Sequence, residues 1–98
     1  MIEVEITDDA QDDLKQASQW YENQKAGLGI ELLDEFERVL NNIESNPQMY
    51  ATVRKNVRFA SFSRFPYVLL FVLEVDFVVI FAFFHTSRNP KIWLSRLK

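Results

Sequence analysis

The sequence predicts an α+β fold in which a helical hairpin packs on one mainly antiparallel sheet. Three observations lead there. Two consecutive segments of the first half carry apolar residues at helical spacing, separated by the short stretch KAGLG. Two runs in the second half, PYVLLFVL and FVVIFAFFH, are apolar and rich in Val, Ile and Phe, the residues that favour strands. The order is one N-terminal strand, two helices, then a three-stranded antiparallel meander that completes the sheet.

Each element has its own signal. IEVEI (2–6) alternates with period two and reads as a strand. Thr7 is placed to cap a helix over 8–24, with Asp8 and Asp9 at its positive end. Ala10, Leu14, Ala17 and Tyr21 form the apolar stripe of that helix, with Trp20 beside them. Residues 25–29 hold both glycines of the chain and make a tight connection. A second helix starts near Leu28 or Gly29, with a stripe of Leu32, Leu33, Phe36, Val39, Leu40 and Ile43. Asn46-Pro47 ends it, because the residue before proline is pushed out of the α region. Residues 47–56 read as a loop. Strands follow at 57–62, 66–73 and 77–85, the last two joined through Glu74, Val75 and Asp76.

The 98 residues are expected to form a single domain, 1–98, with a modest core. A composition of 48% hydrophobic and 26% charged residues excludes a disordered chain. The absence of cysteine excludes disulfides and thiolate metal sites and agrees with a reducing cytoplasm. The most apolar stretch, 65–84, contains Glu74 and Asp76, so it reads as two strands and not as a membrane span. No metal, cofactor or membrane partner is expected.

Both strands 66–73 and 77–85 are apolar on both faces, yet a helical hairpin covers only one. The C-terminal KIWLSRL is expected to close part of the other face, leaving the rest as an exposed apolar area for a partner. Charge is divided unevenly. Residues 1–50 hold twelve carboxylates and three Lys or Arg; residues 51–98 hold two carboxylates and eight Lys or Arg. Such a division suits a surface for an anion or an acidic partner.

The candidate binding residues are Arg54, Lys55, Arg58, Arg64, Tyr67, His85, Arg88 and Trp93. In a hairpin turning near residue 75, the end of strand 77–85 lies beside the start of strand 66–73. His85, the only histidine, and Arg88 are therefore expected near Arg64, flanked by Tyr67 and Trp93. Arg58, Arg64, His85 and Arg88 would also be the catalytic candidates if the chain cleaves RNA without metal. Arginine binds phosphate in a forked geometry, and histidine moves protons near neutral pH. The same cations could receive an acidic protein segment. Alternatively, Arg88 and Arg96 could simply pair with helix acids. The carboxylate pairs Asp12–Asp13 and Asp34–Glu35 are expected to face solvent, and Trp93 to fold back on the sheet as a lid.

The segments WYENQKAGLGIELLDEF, NPQMY, RFPYVLLF and HTSRNPKIW lie far apart in the chain. Together they closely resemble the RelE/ParE superfamily of bacterial toxins, in order and spacing, from about residue 3 to residue 96. The resemblance implies a cytoplasmic toxin of a type II toxin–antitoxin pair, a growth inhibitor and plasmid-stabilisation element. It would form a hetero-oligomer with a cognate antitoxin, whose C-terminal segment wraps it. ParE-like members inhibit DNA gyrase; RelE-like members cut mRNA in the ribosome. The nuclease branch resembles a basic groove with an essential arginine at a position that looks like Tyr67 here. Its C-terminal tyrosine is replaced by Trp93, and Thr86 follows His85 where a His–Tyr variant exists. These departures favour the ParE-like branch and a protein that is not an enzyme. The alternatives are a ribosome-dependent mRNA endonuclease and an inactive module that only binds the antitoxin.

Overall fold

The computed structural model describes residues 2–97. Its elements are β1 (Glu3–Ile6), α1 (Asp8–Gln24), α2 (Leu28–Ser45), a 3-10 turn at Pro47–Met49, β2 (Thr52–Arg54), β3 (Val57–Ser61), β4 (Tyr67–Leu73), β5 (Phe77–His85) and α3 (Lys91–Leu94). The sheet order is β1-β5-β4-β3-β2. The meander β2 to β5 is antiparallel, and β1 pairs parallel to β5. The expected α+β class holds. The sheet is mixed and has five strands where the sequence predicts four. The addition is β2, inside the expected loop 47–56. All three of its residues are exposed, so it carries no hydrophobic pattern to read. It is made by the two-residue turn Lys55-Asn56, with Lys55 in the left-handed region at φ 50°.

The helices begin and end where local chemistry dictates. The Ala10 amide donates to Thr7 Oγ1 at 3.2 Å, and α1 starts there. At the hairpin connection, the Glu22 carboxylate accepts from the Gly27 amide at 2.9 Å and the Gly29 amide at 3.0 Å. This satisfies donors that the first turn of α2 leaves open. Gly27 sits at φ 91°, and a Cβ on Gly29 would lie 2.6 Å from the Ser18 carbonyl oxygen. The first glycine serves backbone conformation, the second the close approach of α1 to α2.

The helical hairpin covers one face of the sheet, hereafter the near face. Leu32 and Ile43 of α2, Leu69 and Phe71 of β4, and Val78 and Ile80 of β5 are fully buried there. Each such side chain contributes about 1.5–3 kcal/mol relative to exposure. Leu33, placed in the α2 stripe by its spacing, is instead exposed.

The far face is closed more fully than the sequence suggests. Trp93, Leu94 and Leu97 pack against Val57, Leu70, Phe81 and Ala82. A bulge in β5 helps. Leu70 pairs with Ala82 and Phe71 with Ile80, so Phe81 has no partner opposite it, and both Phe81 and Ala82 join the far-face cluster. Phe59, Val68, Val72 and Phe84 remain half-buried around it. The largest exposed apolar side chains lie elsewhere, among them Trp20, Ile30, Met49 and Val75. The broad open apolar area expected on this face is therefore reduced to a margin around α3.

Among the described residues, no helix is long and apolar enough to cross a membrane. The apolar stretch 65–84 forms β4, a turn and most of β5.

Candidate functional site

β1 stops at the Ile6–Ile80 pair, whereas β5 continues to His85. From residue 81 onward β5 is an edge strand. A groove of about 510 Å³ opens along this edge, between α1, the end of β5 and α3. Its walls include Asp13, Trp20 and Tyr21 from α1, Tyr67 from β4, His85 and Arg88 at the end of β5, and Trp93 and Arg96 from the C-terminal segment.

The register brings His85 opposite Tyr67, as the hairpin reading requires. Their rings meet edge to face at 5.0 Å. Tyr67 in turn stacks on Phe83, with ring centroids 4.3 Å apart and planes 8° from parallel. The Ser87 amide donates to His85 Nδ1 at 3.1 Å, and Ser87 Oγ lies 2.8 Å from the same nitrogen. A nitrogen that accepts from a backbone amide carries a lone pair, so the neutral ring bears its proton on Nε2. His85 therefore offers the groove a donor. Burial raises the Tyr67 phenol above its ordinary value, Tyr21 and Asp13 add to the effect, and Arg88 opposes it. Tyr67 stays protonated at neutral pH. The Tyr67 phenol is therefore not set up as a proton acceptor there.

Arg88 is exposed, and among the described residues its side chain makes no hydrogen bond or ion pair. Arg96 is committed. It forks onto Asp13 at 2.6 and 3.0 Å, donates to the Phe81 carbonyl at 3.1 Å, and lies 3.8 Å from Asp9. Its hydrogen bonds to Asp13 raise its pKa against the lowering effect of burial, and the charges of Asp13 and Asp9 add to the rise. Asp13 also accepts from the Phe83 amide at 3.1 Å. The Asp13–Arg96 pair thus satisfies the β5 edge just past β1 and holds the C-terminal segment against α1.

The remaining candidates do not gather here. Arg64 does not line the groove: its guanidinium is ion-paired with Glu31 on α2 and stands 5.7 Å from the Phe65 ring centre. Arg58 lies on β3, where Nη1 donates to the Tyr50 carbonyl at 2.6 Å and the Gln48 carbonyl at 3.4 Å. It ties down the connection after α2. Arg54 and Lys55 sit at the β2–β3 turn, at the Val57–Val72 end of the sheet, and His85 is at the other end. The expected meeting of Arg64 with His85 and Arg88 is thus not made, and Arg64, Arg58 and the Arg54–Lys55 turn each stand apart from the groove. Trp93 is buried, 6% exposed, and its ring lies 6.1 Å from that of Phe81. It is the lid on the far face, and only part of it reaches the groove.

Two carboxylates expected in solvent are not there. Asp12 and Asp34 are exposed, but Asp13 faces the groove and Glu35 is buried, 3% exposed. Glu35 accepts from the Ser63 amide at 2.6 Å, the Ser63 hydroxyl at 2.8 Å and the Arg64 amide at 3.2 Å. Burial acts to raise its pKa, but these bonds and the Arg38 charge outweigh it, and the carboxyl lies below its usual range. Glu35 so pins the turn that leads into Tyr67. Both residues could have been found by helical spacing. Asp13 falls on the stripe of Ala10 and Ala17, and Glu35 on that of Leu32, Val39 and Ile43. Among the described residues, no group of three or more His, Cys, Asp or Glu is placed to hold a metal ion.

The family model described as "ParE toxin of type II toxin-antitoxin system, parDE" matches residues 4–90 of the chain. A solved structure described as "Chromosomal ParDE TA system from P. aeruginosa" contains a chain with a similar fold, at a TM-score of 0.79 and 14% identity. The match covers 89% of this chain and 98% of that one. No curated protein matches the sequence.

Proposed function

The chain belongs to the ParE toxin family of type II toxin–antitoxin systems, and from that membership we propose that it arrests growth by binding DNA gyrase and is neutralised by a small antitoxin encoded beside it. On this reading the protein acts in the cytoplasm. The observation that carries the binding reading, against cleavage of mRNA, is the state of the groove. Metal-free RNA cleavage needs a group that takes a proton from the attacking hydroxyl and cations that stabilise the crowded phosphate. Here Tyr67 holds its proton and His85 Nδ1 is taken up by the Ser87 amide. Arg96, Arg64 and Arg58 are bound to Asp13, Glu31 and backbone carbonyls respectively. A track for an RNA backbone needs several cations free to displace counterions, and this groove offers Arg88.

The test is tightly induced expression in a bacterial host, with and without the neighbouring gene. The expected result is arrest relieved by the neighbour, loss of gyrase supercoiling activity, DNA-damage signalling and intact mRNA. New mRNA ends phased with codons, disappearing in Arg58→Ala, Arg64→Ala or His85→Ala, would replace this reading with the endonuclease. Soluble, abundant protein without arrest would leave a module that only binds the antitoxin.

A further inference from the structure

Two turns stand side by side at the end of the sheet remote from the groove. Val57 pairs with Val72 and Leu73 with Val78, so the Lys55-Asn56 turn and the Val75-Asp76 turn project from the same end. Each holds a residue that local physics disfavours. Lys55 lies in the left-handed region at φ 50°, where glycine or asparagine sits at lower cost. Val75 lies in the connection closed by the Glu74 amide on the Phe77 carbonyl at 2.8 Å. Such two-residue connections favour Gly, Asn or Asp. Here the position carries a β-branched apolar side chain that is 94% exposed. Neither choice is explained inside the fold. Lys55 and its neighbour Arg54 are exposed, and the ion pairs among the described residues are those of Arg64 and Arg96. Val53, 51% exposed, and Met49, 78% exposed, extend the apolar surface along the β2 side of the sheet. Local rules broken without an internal gain mark functional surfaces.

We propose that this end of the sheet is the face that engages the target enzyme, with Val75, Val53 and Met49 covering apolar surface and Arg54 and Lys55 meeting carboxylates of that protein. The proposal rests on the reading that the chain arrests growth by binding gyrase. Its occupant is a protein surface and not nucleic acid. Glu74 and Asp76 are exposed on the second turn, and Glu3 is exposed opposite Phe77. A phosphate backbone would meet these carboxylates beside only two cations. A folded protein can match the mixed pattern, with its own carboxylates at Arg54 and Lys55 and an apolar recess at Val75. This end lies roughly 26 Å from His85, eight steps of β5 at about 3.3 Å each. It is therefore a second surface, separate from the groove.

The experiment uses the full-length chain, purified gyrase and the purified protein of the adjacent gene. Inhibition of supercoiling and affinity for the adjacent protein are measured for wild type, Arg54→Glu, Lys55→Asn and Val75→Asn. The control is Lys91→Glu, an exposed cation beyond the other end of β5. Asparagine suits both turns, so Lys55→Asn and Val75→Asn keep or raise the thermal midpoint. The expected result is a split. Each of the three variants needs about tenfold more protein for half-inhibition, as loss of an interface anchor should. Lys91→Glu inhibits as wild type does, and all four variants bind the adjacent protein as wild type does. Full inhibition by the three variants would overturn this surface while leaving the gyrase reading intact. Loss of binding to the adjacent protein in the same three would also overturn it, because the face would then serve that partner. No inhibition by the wild-type chain would overturn both.

Discussion

The two faces of the sheet are apolar along the same strands but are closed by unequal means. The near face lies under the 17 residues of α1 and the 18 of α2, and its buried side chains interlock from Ala10 to Phe83. The far face lies under the four residues of α3 and the Leu97 that follows, anchored by Trp93. Stability therefore resides on the near face and adaptability on the far one. A broad, close-packed face makes the fold cooperative, whereas a single aromatic anchor and the ion pairs of one arginine, Arg96, make a margin that can be lost locally. The groove lies at the seam between the two, where α1 and the α3 segment meet over the β5 edge.

Substitutions on each face test this division of stability. The largest effect is expected on the near face. Phe71→Ala removes a fully buried ring and should cost about 3–5 kcal/mol. Chemical denaturation of this variant should show a lower midpoint than any far-face variant, and the reverse order would show that the hairpin face does not dominate.

Trp93→Ala should cost about 2–4 kcal/mol, less than the ring alone suggests, because the far-face cover is short enough to detach locally. Limited proteolysis should then cut near α3 before the sheet unfolds. Cleavage throughout the chain at the same rate would mean that the two faces unfold as one.

Glu35→Gln tests the clamp between α2 and the turn before β4, and should cost about 1–3 kcal/mol at neutral pH. The folded carboxyl lies below its ordinary value of 4.5. Its contribution is therefore fully present above that value and is lost as pH falls through the folded pKa. The stability gap between wild type and Glu35→Gln should narrow in acid. A gap that holds constant from pH 7 to pH 3 would assign the effect to packing and not to the charge.

The smallest effect is expected at the seam. Trp20→Ser should change stability by no more than about 0.5 kcal/mol, since the ring is largely exposed. If a thermal melt drops well beyond that, the aromatic wall of the groove is part of the core and not a free surface.

Much of this was legible in the residues. Thr7 announces α1, Asn46-Pro47 ends α2, and the Val-, Ile- and Phe-rich runs become β4 and β5 with boundaries within a residue of those predicted. The meeting of His85 with Tyr67 follows from the hairpin alone. Other features were hidden for definite reasons. β2 is exposed throughout, so it has no apolar period. Arg64 and Arg58 are basic in sequence, but Glu31 and the Tyr50 carbonyl decide what they face. Asp13 and Glu35 look like ordinary surface acids until the helix periods are followed inward.

Capping, proline restriction and hydrophobic period act over a few neighbouring residues, so the elements, their order and the α+β class can be read from the residues alone. How the cations are divided is settled by long-range packing. Asp13 and Arg96 stand 83 positions apart and meet because α1 crosses the edge that β1 leaves open. Charge on a side chain is written locally, but its partner is chosen by packing between distant segments, and that choice leaves Arg88, three residues past β5, with its guanidinium free among the described residues.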